Sequence, residues 1–132
     1  MKLYVDEPGA ALVRKTVKRA ELIATHLIAY TETRAALARK HRLGQMDDLT
    51  LVRLKKAFER DWNALHHLPA NEIAVRRAGD LAEQHHLRGY DSLHLAAAEL
   101  LQNTLLVPIT FACFDNSLNS AASKHGMQVL GR

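Results

Sequence analysis

Short apolar segments alternate with longer amphipathic ones along this chain, and that alternation constrains the fold more than any other feature. Four short segments typical of strands occupy residues 22–25, 65–68, 107–114 and 127–130. Segments with helical periodicity occupy residues 10–20, 27–42, 47–63, 71–86, 90–101 and 116–124. Strands that alternate with helices form βα units, so the sequence predicts an α/β fold with a short parallel sheet flanked by helices.

The size of the chain predicts one domain, because 132 residues are enough to bury a single core. Hydrophobic residues make up 48% and charged residues 24%, a balance that excludes a disordered or fibrous protein. Prolines and glycines stand singly at the joints between elements, so no linker or repeat divides the chain. The apolar runs at residues 93–101 and 105–114 are too short to span a bilayer, which predicts no membrane insertion.

The cysteine content and the net charge indicate which cellular compartment and which kind of partner to expect. Cys113 is the single cysteine, and Asp6 follows the N-terminus too closely for a signal-peptide apolar region to develop. We therefore expect a reducing cytoplasm. The 18 Lys and Arg residues exceed the 14 Asp and Glu residues by four, which permits a polyanionic partner. The basic residues are spread over predicted helix faces, so solvated faces explain most of them.

Glu32 is the first acidic residue in an unexpected place. In a helix over residues 27–42 it shares one face with four residues: Ile28, Ala35, Ala36 and Arg39. It therefore interrupts an apolar stripe, and a carboxylate that faces the interior needs a compensating cation or several donors. Pairing with Arg34, or a place at the exposed edge of the stripe, would explain it without any function.

Asp91 and Asp115 stand at the ends of apolar elements. Asp91 opens the helix predicted over residues 90–101, where its simplest role is that of N-cap. Asp115 ends the strand candidate at residues 107–114 and could cap the next helix in the same way. Ligands bind at the carboxyl ends of strands in parallel α/β sheets, so Asp115 is also a candidate binding residue.

Taken together, Glu32, Asp91 and Asp115 suggest a cation site, because the predicted fold gathers such positions at one edge. Hard divalent ions such as Mg²⁺ prefer carboxylate oxygens and water. A positively charged chain that carries such a site suits phosphodiester chemistry.

Four blocks of the sequence carry a family resemblance: residues 3–9 (LYVDEPG), 29–37 (AYTETRAAL), 88–96 (RGYDSLHLA) and 110–115 (TFACFD). They resemble the corresponding parts of PIN-domain ribonucleases, and most of all those of the VapC-type toxins of bacterial toxin–antitoxin pairs. The stretch after Asp115, with Leu118, Gly126 and Val129, is also similar to the last helix and strand of the family. The resemblance thus runs over almost the whole chain.

The resemblance implies a three-layer PIN-like domain over residues 1–132 and a metal-dependent endoribonuclease that hydrolyses RNA phosphodiesters. It implies Mg²⁺ or Mn²⁺ as the cofactor, held by Glu32, Asp91 and Asp115, which match three acidic positions of the family. It also implies a cognate antitoxin that covers the acidic cleft and donates a cation to it. A homodimer is expected as well, because two predicted helices carry further apolar stripes: Leu12, Val13 and Val17, and Leu51, Leu54 and Phe58.

The fourth acid of the family ends its first strand, and we expect that strand to be missing here. In the family, the strand precedes the segment that resembles residues 3–9, so the chain is expected to be truncated at its N-terminus relative to the family. A misassigned start, a natural truncation that leaves a binding module, or residues 2–5 adopting the strand role would each explain this. Asp6 imitates the missing acid, yet Glu7, Pro8 and Gly9 follow it, so we place Asp6 in a loop.

Two other functions stay open at this point. A catalytically weak or inactive PIN-like protein would bind an antitoxin or itself, because losing one carboxylate weakens metal binding without abolishing folding. A transition-metal site would use histidines: His66, His67, His85, His86 and His94. This second option is disfavoured, because adjacent residues on a helix point about 100° apart and cannot chelate together. We expect His94, one turn after Asp91, to pack beneath the acidic site instead.

Overall fold

Helices and short strands alternate along residues 1–130, the part of the chain that this computed structural model describes. The chain divides into two compact units, Met1–His67 and Leu68–Arg132. The N-terminal unit contains α1 (Ala10–Arg19), β1 (Ala24–His26), α2 (Ile28–Arg42) and α3 (Asp48–Ala64), with β2 (His66–Leu68) at the boundary. The C-terminal unit contains α4 (Glu72–His85), α5 (Gly89–Leu105), β3 (Thr110–Ala112), α6 (Asn116–Lys124) and β4 (Gln128–Leu130).

In the N-terminal unit, α2 packs against α3 around a cluster of aromatic rings. The Phe58 and Trp62 rings, one helical turn apart on α3, lie 5.8 Å from each other, which confirms the packing pair that their spacing predicts. Tyr30 of α2 contacts both, with ring centroids 5.5 and 5.3 Å away. The two strands of this unit form a two-stranded sheet, in which the N–H of His66 donates to the carbonyl of Ile23.

In the C-terminal unit, three helices and β4 enclose one apolar core. Its buried members are mostly small or aliphatic: Ala78, Leu81, Leu95, Ala96, Ala98, Leu118, Ala121, Ala122 and Met127. The alanines let α4 and α5 approach closely, because they add little side-chain volume between the helix axes. The strands β3 and β4 pair in parallel, with Phe111 opposite Val129.

The helices predicted from the sequence are confirmed, and their ends differ by only a few residues. Asp47 and Asn71 cap α3 and α4 as expected, since their side-chain oxygens accept the N–H of Thr50 and Ala74. The strand predicted at residues 107–114 is much shorter, because α5 continues to Leu105 and leaves only Thr110–Ala112 to pair with β4. Within residues 1–130 the strands pair two by two.

None of the helices in the described part of the chain is both long and apolar enough to cross a membrane.

Candidate acidic site

Asp91 lies in the first turn of α5, and the prediction that it caps this helix is wrong. Arg88 takes the N-cap position, with φ −68° and ψ 153°, and Gly89 begins the helix. Oδ2 of Asp91 accepts a hydrogen bond from Nε of Arg88 at 2.9 Å, and the Asp91 side chain is 23% exposed. The first turn of α5 therefore carries an ion-paired carboxylate where the helix macrodipole stabilises negative charge.

Asp115 is the N-cap of α6, as the sequence predicts. Its Oδ1 accepts the N–H of Leu118 at 2.8 Å. Two further bonds shape the turn after β3: the N–H of Asp115 donates to Sγ of Cys113 at 3.3 Å, and Nδ2 of Asn119 donates to the Cys113 carbonyl at 3.0 Å. These contacts fix Asp115 just past the carboxyl end of β3, the position where α/β sheets bind ligands.

Asp91 and Asp115 share an electrostatic environment inside the C-terminal unit. The hydrogen bond from Arg88 to Asp91 raises the pKa of the Arg88 guanidinium, and the charge of Asp115 adds to the effect. Burial raises the pKa of the Cys113 thiol, and the charges of Asp115 and Asp91 raise it further. Both carboxylates thus act on the same two neighbours, and Cys113 is a protonated thiol at neutral pH, unsuited to act as a nucleophile.

The donor atoms near these two acids suit a hard cation. Carboxylate oxygens are the ligands that Mg²⁺ and Mn²⁺ prefer. Asn119 is 1% exposed, and its Oδ1 has no hydrogen-bond partner among residues 1–130, which leaves a buried oxygen uncompensated beside Asp115. Within the same residues, no three side chains of the His, Cys, Asp and Glu types group closely enough to hold a metal ion. The two acids of the C-terminal unit thus offer hard oxygen donors, and a cation site that includes them stays a prediction.

Glu32 is exposed on α2, so an interior place is excluded, and of the alternatives that the sequence left open the place at the exposed edge of the stripe is confirmed. Ala35 and Arg39 on the same face are exposed as well, so small alanines made an exposed stripe resemble a core-facing one. Arg34, the expected partner, bonds instead to Tyr30 and Glu59. Glu32 belongs to the N-terminal unit, and its approach to the other two acids stays a prediction.

The first residues form a turn, and the alternative in which residues 2–5 adopt the strand role is wrong. The N–H groups of Tyr4 and Val5 both donate to the carbonyl of Met1, at 2.8 and 3.1 Å. Asp6 follows in the loop before α1, where we placed it. Its side chain is 97% exposed and lies 3.9 Å from Arg14.

Sequence reasoning missed a network that joins three helices of the C-terminal unit. The Nε2 atoms of His85 and His125 lie 2.9 Å apart, and Nδ1 of His125 lies 3.0 Å from Oε2 of Glu99. Glu99 also accepts two hydrogen bonds from Arg77, at 2.6 and 2.9 Å. The histidines are 40 positions apart, so no local pattern could predict that they pair. The ion pair between Arg88 and Asp91 could have been predicted, because residues three positions apart lie on the same side of a helix.

A comparison with protein-family models matches residues 1–117 to the PIN domain. The chain therefore belongs to the PIN-domain family, and the α/β class predicted from the sequence is confirmed. Two relatives from Mycobacterium tuberculosis support the VapC-type resemblance: Ribonuclease VapC45 of strain CDC 1551 / Oshkosh and Ribonuclease VapC49 of strain ATCC 25618 / H37Rv. Each is 30% identical over 129 residues, which cover 98% of this chain and 88% of the relative.

Proposed function

We propose that this protein is a metal-dependent endoribonuclease toxin of the VapC type, neutralised by a cognate antitoxin. Membership of the PIN-domain family and two relatives that are named ribonucleases support RNA as the substrate. The observation that carries the proposal is the placement of Asp91 and Asp115, one in the first turn of α5 and one directly after β3, with Arg88 and Cys113 as shared neighbours.

Asp91, Asp115 and Glu32 would hold Mg²⁺ or Mn²⁺ in this proposal. When bound, such an ion supplies a Lewis acid for the phosphoryl oxygen and lowers the pKa of a coordinated water. The two acids of the C-terminal unit bring hard oxygen ligands, and Glu32 of the N-terminal unit would complete the set.

The residues of this chain prepare the site in distinct ways. Arg88 orients the Asp91 carboxylate through Nε and offsets its negative charge. The capping bond to Leu118 fixes the rotamer of Asp115, so its carboxylate stays at the end of β3. Ser92 is buried and donates from Oγ to the Gly89 carbonyl at 2.7 Å, which rigidifies the turn that carries Asp91.

Partners follow from the same family assignment. We propose that the antitoxin covers the acidic site and donates a cation to it, and that the chain forms a homodimer. Leu12, Leu49 and Val52, at 43%, 78% and 47% exposure, are apolar residues available for such contacts. Phe58, which the sequence placed on a self-association stripe, is 4% exposed and packs within the chain. Phe58 therefore cannot contribute to a dimer surface.

A second candidate function is a catalytically weak PIN-like module that binds an antitoxin or itself. It is favoured by one observation, the lack of a group of three metal-ligating side chains within residues 1–130. Fewer carboxylates give a bound ion less charge compensation and a less well positioned water.

Cleavage of a fluorescent RNA with Mn²⁺, compared with the same reaction in chelator, separates the two candidates. We expect metal-dependent cleavage that Asp91→Asn and Asp115→Asn each remove. Both variants should fold, because asparagine caps a helix as well as aspartate does and Asp91→Asn keeps the shape of a partly exposed side chain. Asp80→Asn is the matched control, since Asp80 is an exposed acid of the same unit. Cleavage that survives in Asp91→Asn, or no metal-dependent cleavage at all, would overturn the nuclease proposal.

A further inference from the structure

Two histidines from different helices meet where α4 and α6 end. His85 is the last residue of α4, and His125 is the C-cap residue of α6. Their Nε2 atoms lie 2.9 Å apart, and both residues are partly exposed, so a small ion can reach them from solvent. Neighbours on one helix point about 100° apart, whereas a pair from two helices can turn both nitrogens toward the same point.

The contacts of His125 determine which of its nitrogens carries a proton. Its Nδ1 lies 3.0 Å from Oε2 of Glu99, and the Arg77 guanidinium keeps the pKa of that carboxyl below its ordinary value. An ionised carboxylate only accepts hydrogen bonds, so Nδ1 of His125 is the donor. In the neutral ring Nε2 is then a bare nitrogen, which accepts the N–H of His85. His125 therefore presents a fixed lone pair at the point where the two rings meet.

Metal-binding histidines are held in the same way as His125. A ligating ring typically donates its other N–H to a carboxylate, which fixes its orientation and makes the free nitrogen a better ligand. Two zinc–nitrogen bonds of about 2.0–2.1 Å at a tetrahedral angle place their nitrogens roughly 3.3–3.4 Å apart. The two Nε2 atoms therefore need to separate by only about 0.4–0.5 Å, while His85 moves its proton to Nδ1.

The charges around the pair favour a cation. The C-terminal ends of α4 and α6 each carry about half a negative charge from the helix macrodipole. Glu99 adds a full negative charge, which the two hydrogen bonds from Arg77 offset. Burial lowers the pKa of His85, and the charges of His125 and Lys124 lower it further, so the ring is neutral at pH 7 and able to bind a metal. Lys124 opposes a cation, but it is exposed and can turn into solvent.

We propose that His85 and His125 bind one divalent transition-metal ion such as Zn²⁺ through their Nε2 atoms, with Glu99 as the positioning residue for His125. Imidazole nitrogens suit Zn²⁺, Ni²⁺ and Cu²⁺, whereas Mg²⁺ prefers oxygen. No three metal-ligating side chains group together within residues 1–130, so water fills the other positions. The site is distinct from the acidic one, because Glu99 follows Asp91 by eight residues, about 12 Å along α5. It joins the ends of two helices and does not depend on the proposed nuclease function.

Isothermal titration calorimetry of the full chain with Zn²⁺ tests the site, near pH 7 and in a large excess of Mg²⁺ that occupies oxygen sites. The wild type should bind one equivalent of Zn²⁺. His85→Gln and His125→Gln should each abolish this binding. Glu99→Gln should weaken it about tenfold or more, because the carboxylate partner of a ligating histidine contributes that much to metal affinity.

His86→Asn is the matched control for the histidine variants. His86 is an exposed neighbour of His85 with a φ of 54°, a conformation that asparagine tolerates. This variant should bind Zn²⁺ as the wild type does. Zn²⁺ should also raise the melting temperature of the wild type and of Asp91→Asn by the same amount, and should not raise that of His85→Gln.

A spectroscopic measurement on the unmutated chain makes the test independent of how well the variants fold. With one equivalent of Cu²⁺, electron paramagnetic resonance should show hyperfine splitting from two imidazole nitrogens. A Cu²⁺ spectrum without two nitrogen ligands would overturn the site. So would a wild type that binds no Zn²⁺, or a His85→Gln variant that binds it equally well. The two histidines would then form a structural hydrogen bond only.

Discussion

Glu99→Gln should destabilise the C-terminal unit far more than so small a change of side chain suggests. The Glu99 side chain is only 16% exposed, and its carboxylate accepts two hydrogen bonds from Arg77 and lies 3.0 Å from His125. Glutamine keeps one acceptor oxygen, but its amide N–H₂ group then faces the donor groups of Arg77 or His125. The Arg77 guanidinium holds the pKa of Glu99 below its ordinary value, which shows that the charged form is the one stabilised here.

The size of the effect follows from those contacts. Hydrogen bonds to charged groups contribute about 1.5–3 kcal/mol each, and Arg77 is 39% exposed, so solvent screening brings the net loss down to about 1–2 kcal/mol. For a chain of this length, that corresponds to a fall of about 4–8 °C in melting temperature. Circular dichroism melts at neutral pH would measure it.

The matched control is a second Glu–Arg pair on α4. Glu72 and Arg76 lie 2.8 Å apart, but their side chains are 77% and 78% exposed. Glu72→Gln should therefore cost less than about 0.5 kcal/mol. Equal losses in the free energy of unfolding for Glu72→Gln and Glu99→Gln would refute the claim that burial and the histidine pair make Glu99 important for stability. A double-mutant cycle with Arg77→Gln would show whether the loss comes from this pair.

Three further predictions concern metal, pH and the N-terminal loop. Mn²⁺ should raise the melting temperature of the wild type at pH 7, because an ion that binds only the folded state stabilises that state. The rise should be smaller in Asp115→Asn. An equal rise in both proteins would show that Asp115 does not bind the ion. Burial, with the charge of His125 added, lowers the pKa of His85, so the unfolded chain takes up a proton before the folded one does. The folded state therefore has its full stability above about pH 6.5 and loses free energy of unfolding as the pH falls below that value. His85→Gln should make the free energy of unfolding, measured by denaturant melts, depend less on pH in this range. Asp6→Asn should leave RNA cleavage unchanged, since Asp6 is 97% exposed in a loop; abolished cleavage would make Asp6 the fourth ligand.

Local sequence signals predicted the helices well, because each signal acts within one turn. Asp47, Asn71 and Asp115 cap their helices through bonds to the backbone three residues on, and the sequence alone suffices to place such bonds. Asp91 shows the limit of this reasoning. Gly89 adopts helical geometry despite its low propensity, so the helix starts earlier and Asp91 falls inside the first turn.

Features that depend on distant parts of the chain could not be predicted. The sequence could not decide whether Glu32 is buried or exposed, because a stripe of alanines fits an exposed face as well as a core-facing one. The extent of β3 depends on its pairing with β4 rather than on the length of its apolar run. The contact between His85 and His125 joins the ends of two helices that only the tertiary fold brings together.

The central claim is that Glu32, Asp91 and Asp115 bind one divalent cation, and paramagnetic line broadening by Mn²⁺ tests it most directly. In an isotope-labelled full chain, substoichiometric Mn²⁺ should broaden the backbone amide signals around all three residues first, before those around exposed acids such as Asp48 and Glu72. Broadening confined to Asp91 and Asp115, or spread evenly over the exposed acids, would contradict a site shared by the three carboxylates.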